Sequence, residues 1–431
     1  MKRRLSIIVL LALCFPPFLR AEGYSFDLAE IEKKAYHVGG YAELRPVLYG
    51  LDRDAALYQL RFYNRDEGHT LPEQNAALQL EGGLAKGITK LFVRTNTGYQ
   101  DSYLGATSTT TAYEAFLSVK PAPTLTIDAG KRTLKWGKGY AWNPVAFVDR
   151  PKNPDEPDLN LEGYIVASGD YIKSFDGPLK TLSITPVLIP VSKHVNDDFG
   201  EANHLNAAGK IYLLLYDTDI DFLFLTGASR PWRMGMDFSR NITTNFEVHG
   251  EFARINDFTR SFIAVDGTTH QTVYDATSWL LGLRYLTEKD TTYILEYYRN
   301  GTGFIEQETR DYFTFVHNAY DSYLSTGSDA LLQQAAAVTE KSYGRPNAGQ
   351  DYLYLRVSQK DPFDFLYWTP AVTAIVNADD RSYSLSPEIA YTGITNLDLR
   401  LKAMVLAGSR LSEFGEKQND YRLEFRARYF F

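Results

Sequence analysis

From Val38 to the C-terminus, apolar and polar positions alternate in segments of about ten residues, separated by turn chemistry. Tyr113, Ala115, Leu117 and Val119 share one parity against Glu114 and Lys120. Phe246, Val248, Gly250 and Phe252 oppose Glu247, His249 and Glu251, and Tyr293, Leu295 and Tyr297 oppose Glu296. Leu397, Leu399, Leu401, Ala403 and Val405 oppose Asp398, Arg400 and Lys402. Successive side chains of a strand point to opposite faces, so each segment predicts a strand with one apolar and one charged side. Ala56, Tyr58, Leu60 and Phe62, against Gln59 and Arg61, are read the same way, with a short turn near 50–54. The count comes to about nineteen strands. Either segment 38–49, which contains Pro46, is not a full strand, or a further strand precedes it.

The last strand is the most informative. Residues Asp420 to Phe431 place Tyr421, Leu423, Phe425, Ala427, Tyr429 and Phe431 on one face, and Arg422, Glu424, Arg426 and Arg428 on the other. The chain stops on Tyr-Phe-Phe. This resembles the closing strand of Gram-negative outer-membrane β-barrels, which end on Phe with an aromatic two residues earlier; Tyr429 and Phe431 match. The resemblance implies an all-β fold: a transmembrane antiparallel up-and-down barrel of about 18 strands (16–20), with short periplasmic turns and long extracellular loops. It also implies a place in the cell outer membrane, contact with outer-membrane lipid, and recognition of the last strand by barrel-assembly machinery. The connections fit this, because short ones (84–87, 120–123, 174–179, 217–219, 239–243, 287–290, 392–396) alternate with long ones. The long ones fall near 64–74, 98–110, 132–161, 190–206, 256–276, 301–350 and 408–419.

Residues 1–21 read as a signal peptide: Lys2, Arg3 and Arg4, then an apolar stretch from Leu5 to Leu19, then a cleavage site before Glu22. Residues 22–37 form a separate periplasmic or lumenal segment, either a short helix or a leader, and 38–431 the barrel. Removing the signal discards Cys14, the one cysteine, so the mature chain has no disulfide, thiol nucleophile or Cys-ligated metal. It also leaves 41 basic against 53 acidic residues, a net −12 that argues against nucleic acid as a partner. Aromatics make up 14% of the chain, and Tyr suits a membrane interface. The mean hydropathy of −0.29 is no obstacle, since only alternate residues of a barrel meet lipid.

Three stretches invite a functional reading. The first is 130–164, with Trp136-Gly137, Trp142-Asn143-Pro144, Asp149-Arg150 and a Pro/acid run ending in Glu162-Gly163-Tyr164. Gly137 and Gly139 permit tight bends, and four prolines stiffen the chain from Pro144 to Pro157. The segment is similar to a constriction segment of proteobacterial porin-like barrels, which implies a loop folded into the mouth; an external loop without effect on transport is the alternative. The second is 301–350, too long for a connector, where Ile305–Tyr323 and Asp329–Lys341 predict two helices that cap the pore or lie exposed. The third is the inner face, to which alternation assigns Arg61, Arg94, Glu247, Glu251, Glu296, Arg400, Arg422, Glu424, Arg426 and Arg428. These either form a cross-strand ion-pair ladder or filter ions by charge.

No motif for a hydrolase nucleophile, a zinc site, a phosphate loop or a haem occurs, so no catalytic residue, cofactor or metal is assigned. His249, between Glu247 and Glu251, is the one carboxylate-flanked histidine on a predicted strand, and an inward polar cluster is its simplest reading. The chain is therefore expected to be no enzyme. It is expected to be a channel passing small polar or anionic solutes by diffusion past an inward loop. The competing reading is a closed barrel serving an envelope export or assembly system for polysaccharide or lipid. The solute and the oligomeric state, a homo-oligomer included, stay open.

Overall fold

A computed structural model describes residues 35–431; the signal peptide and most of 22–37 lie outside them. The wall begins with β1 (Tyr36–Leu51), β2 (Thr70–Lys86), β3 (Thr89–Ser102), β4 (Gly105–Ala122), β5 (Leu125–Arg132) and β6 (Tyr164–Ser174). It continues through β7 (Leu179–Val191), β8 (His204–Leu215), β9 (Thr218–Thr226), β10 (Arg233–Thr243), β11 (Phe246–Ile263) and β12 (Thr269–Leu286). It ends with β13 (Thr291–Arg299), β14 (Asp351–Gln359), β15 (Trp368–Asn377), β16 (Tyr383–Ile394), β17 (Leu397–Ala407) and β18 (Asn419–Phe430). Each strand pairs antiparallel with its neighbour in sequence, and β18 closes on β1 with Tyr41 opposite Phe430 and Leu48 opposite Leu423. At the seam Gly40 and Phe431 exchange backbone N–H to carbonyl bonds of 3.1 Å. Closure leaves no edge strand, so along the paired ladders backbone donors find their acceptors within the wall.

The two faces differ as the alternation requires. On β18, Leu423 and Phe425 are 44% exposed on the outer surface, whereas Glu424 is 3% exposed inside. Short connections (87–88, 123–124, 175–178, 216–217, 244–245, 287–290, 360–367, 395–396) lie on the rim that also holds the start of β1 and Phe431. The opposite rim carries 52–69, 133–163, 192–203, 300–350 and 408–418, among others. Among the described residues no helix is long and apolar enough to cross a membrane.

The odd strand count is resolved at 56–62. This segment is no strand but the helix α1 (Ala56–Phe62), set in the long connection 52–69, so there is no short turn at 50–54. Its period-two pattern has a different cause. In a helix, residues four apart share a face. Ala56 and Leu60 pack on one apolar cluster, Tyr58 and Phe62 on another. Segment 38–49 is a full wall strand, whose pairing with β18 lapses only at Arg45 and Pro46. The expected loops at 98–110 and 256–276 are instead the outer ends of long hairpins, β3–β4 and β11–β12. Beyond the membrane zone no alternation is needed, and the Thr-rich 107–111 run shows none.

Candidate functional site

The connection from β5 to β6, residues 133–163, folds inside the barrel. Its prolines cannot complete a ladder, so the chain leaves the wall at Arg132 and braces itself. The Asp149 carboxylate accepts the N–H groups of Leu134, Lys135 and Trp136 at 2.8–3.1 Å. Lys152 Nζ donates to the carbonyls of Gly139 (2.8 Å) and Tyr140 (3.2 Å). Arg150 pairs with Glu162 (3.3 Å) and Asp198 and lies over the Tyr164 ring. Gly137 has φ +96, and a Cβ there would stand 2.8 Å from Glu251 Oε1. A Cβ on Gly139 would stand 2.0 Å from the Trp142 carbonyl oxygen.

The bend is seated on two glutamates of the facing wall. Glu251 on β11 accepts the N–H groups of Lys138 and Gly139 at 2.6 Å, the Asn143 Nδ2 at 3.0 Å and the Val145 N–H at 3.2 Å. Pro144 has no N–H, which passes the next donor to Val145. Glu296 on β13 accepts the N–H groups of Tyr140 and of Ala141, the latter at 2.9 Å. The loop leaves β5 and reaches β13, eight strands away round an 18-stranded ring, so it crosses the lumen near its diameter.

Apolar packing holds the same arm. Trp136, Val145, Phe147 and Val148 bury against Tyr164, Val166, Val187, Ile189, Leu223 and Leu225. These wall residues face inward, so in β6–β9 the inner face is apolar under the loop, not charged throughout. Ala141 and Trp142 bury against Leu280, Ile294, Tyr352, Tyr354 and Ile375. The Trp142 ring stacks on Tyr298 at 5.2 Å, and its Nε1–H donates to Asn347 Oδ1 at 3.3 Å.

The returning arm meets the remaining sector. Glu156 pairs with Arg426 and, at 3.8 Å, with Arg45; Lys402 Nζ donates to the Asp155 carbonyl at 2.7 Å; Asn160 Nδ2 donates to Gln79 at 3.4 Å. Between the two arms is a cavity of about 220 Å³ bordered by Arg94, Lys135, Asp149, Arg150, Lys152 and Asp158. On the short-turn side of the loop a larger one, about 490 Å³, is bordered by Arg132, Lys138, Asp170 and Lys210.

Four of the expected inner charges form cross-strand ion pairs. Arg94 binds Glu81 (3.0 Å) and Glu114 (2.7 Å); Arg428 binds Glu43 (2.6 Å); Arg426 lies 3.8 Å from Glu43 and, along its own strand, 3.0 Å from Glu424; Arg400 lies 3.8 Å from Glu388. Glu247 accepts from Ser239 Oγ at 3.1 Å and lies 3.6 Å from His249. Arg422 borders a chamber of about 260 Å³ shared with Tyr49, Asp155 and Phe414. Arg61 does not line the lumen. It sits on α1, outside the wall, and donates to Gln418 at 2.6 Å.

Over the mouth stands a helical cap. The 300–350 connection forms α2 (Glu306–Thr326) and α3 (Ala330–Val338), which pack with α1 and with Ile263 of the β11–β12 hairpin. α2 is 21 residues long, about 31 Å. It links the β11–β12 hairpin to the β1–β2 connection, nearly opposite points of the rim. Tyr312 and Tyr343 stack at 4.0 Å in its centre. His317 on α2 bonds Gln59 on α1 (2.8 Å) and Glu416 in the 408–418 connection (3.1 Å), while Glu416 also accepts the Ala56 and Leu411 N–H groups.

Sequence reasoning missed the acids that hold Lys138. Lys138 Nζ lies 2.9 Å from Asp221 and 3.9 Å from Asp237, which face each other across β9 and β10. Both occupy inward positions of their strands, so the alternation contained the signal. His249 is buried and its Nε2 lies 2.9 Å from Glu296 Oε1, within the seat of the loop. Among the described residues no group of three or more His, Cys, Asp or Glu is placed to hold a metal.

No family model matches the sequence, and no curated protein matches it. Solved structures do match its fold. OccAB1 of Acinetobacter baumannii superposes with a TM-score of 0.52 over 92% of this chain and 97% of its own, at 10% identity. OccK5 (OpdH) of Pseudomonas aeruginosa gives 0.50 over 91% and 97%, at 12% identity. A triple mutant of the Rhodopseudomonas blastica porin gives 0.45 over 92% and 100%, at 10% identity, too loose to bear an argument. At these identities the likeness is one of fold.

Proposed function

We propose that this barrel is an outer-membrane channel of the porin type, exported by its N-terminal signal, through which small polar or anionic solutes diffuse. The observation that carries the reading is the 133–163 loop, tied to glutamates on the far wall inside a closed barrel with an apolar outer face. The loop divides the lumen, so passage depends on what fits between its arms and beside the charged sector of β16–β18 and β1–β4. Rate would be set by size at the loop and by the balance of fixed charge along Arg94, Arg400, Arg422, Arg426 and Arg428 against their glutamates. No catalytic step belongs to this reading.

Deleting 140–158 and measuring single-channel conductance in planar bilayers tests it. The expected result is a larger conductance step, and an unchanged step removes the narrowing role. The cap over the mouth and the packed half-lumen favour a second reading, a closed barrel accessory to envelope export or assembly. Complete silence of the intact protein in bilayers, with the wall folded, would favour that one.

A further inference from the structure

On the short-turn rim, seven of the eight connections are two to four residues long and present at most one large apolar side chain each. The eighth, 360–367, joins β14 to β15 and differs in length and composition. Phe363 is 91% exposed, Phe365 65%, Leu366 62% and Tyr367 54%. The turn is ordered: Asp361 donates its N–H to the Trp368 carbonyl (2.8 Å) and accepts the Tyr367 N–H, and Thr392 of the neighbouring strand donates to the Tyr367 carbonyl at 3.0 Å. Asp361, Phe363, Asp364 and Tyr367 all have positive φ, a conformation that disfavours bulky residues. The backbone accepts that strain while its aromatic side chains keep more than half of their surface exposed.

We infer that this turn is a membrane anchor, its Phe363, Phe365, Leu366 and Tyr367 side chains seated among phospholipid headgroups and the first acyl carbons at that rim. The inference rests on the proposal that the wall spans a membrane. Continuity with the wall selects lipid over a protein partner. The turn runs into the outward, lipid-facing side of the wall through Trp368, whose ring packs on Tyr391 at 4.7 Å, and Val372 beyond it. Aromatic rings are favoured where apolar chain gives way to wet headgroup, and a finger of them fixes the depth of the barrel in the leaflet.

The test uses single cysteines carrying a nitroxide label in the liposome-reconstituted mature protein, which is otherwise free of cysteine once Cys14 is removed with the leader. Phe363→Cys is compared with Val372→Cys on the outer wall and with Gly177→Cys on another short turn of the same rim, where an added Cβ meets nothing. Collision with dissolved oxygen reports lipid, and collision with a nickel chelate reports water. Position 363 is expected to resemble 372: high oxygen access and a nickel access several-fold below that at 177. If 363 matches 177 while 372 reads as lipid, the anchor is refuted and the spanning wall stands. If 363 is shielded from both probes, protein covers it and the anchor is refuted. If 372 itself reads as water, the spanning wall fails and the anchor with it.

Discussion

Replacing Glu251 by Ala isolates what holds the lumenal loop. Glu251 is buried on β11 and accepts three backbone N–H groups, from Lys138, Gly139 and Val145, besides the Asn143 amide. With the carboxylate gone, a docked loop would bury three donors without acceptors. Each costs about 1–3 kcal/mol, and relief from burying a charge offsets part of the total. A net loss of about 3 kcal/mol shifts the ratio of docked to released loop by more than a hundredfold. The wall survives, because Glu251 keeps its backbone pairing opposite Asp237 and Leu280. Two assays read the change: amide hydrogen exchange over 134–148, and single-channel conductance. Exchange there should accelerate by at least tenfold, and a wider conductance state should appear. Glu251→Gln should fall between, since its amide NH2 sets a donor against one of the loop's donors. Wild-type exchange and a wild-type conductance histogram in a folded Glu251→Ala barrel would refute the seating argument.

Gly139→Ala should release the same segment, since its Cβ would lie 2.0 Å from a backbone oxygen that has no room to yield; normal exchange over 134–148 would contradict this. Arg426→Ala leaves Glu156, Glu424 and Glu43 short of a cation, so the reversal potential in a salt gradient should move toward cation selectivity. An unmoved potential would place the permeation path away from β18. For Glu416, burial alone raises the carboxyl, but hydrogen bonds from His317 and from the Leu411 and Ala56 N–H groups outweigh it and hold it below its ordinary value. A carboxyl depressed in the folded state contributes stability above its unfolded value, and that stability is lost as pH falls through the folded one. Protease cleavage within 301–350 should therefore rise below about pH 4, and Glu416→Gln should flatten the dependence; a cap equally resistant at every pH would count against the link.

Legibility in the sequence followed the environment of each segment. Wall strands such as β17 and β18 were readable because one face meets an apolar medium and the other water, which imposes a period of two. Where that contrast lapses, so does the signal. The Thr-rich end of β4 has polar side chains on both faces and passed for a loop. The 56–62 segment mimicked a strand because two faces of one helical turn are buried against different clusters. That single misreading produced both the odd strand count and the misplacement of Arg61. On β6–β9 the inner face is apolar where the loop lies against it, which alternation could not explain until the loop was seen to cover it.

The sequence by itself determined the strands of the wall, the rim of short turns that holds Phe431, the stiffened Trp-Gly and Asn-Pro loop and the helical pair within 301–350, because each rests on local chemistry: alternation, turn residues, proline and helical spacing. Only the tertiary structure decided that Glu251, Glu296, Asp221 and Asp237 receive that loop, that Arg426 meets Glu156 on its returning arm, and that Arg94 and Arg428 pair across strands. An inward carboxylate looks the same in the chain whether it meets a guanidinium, a lysine or a row of amide groups. Its partner is set by where a loop starting eight strands away comes to rest.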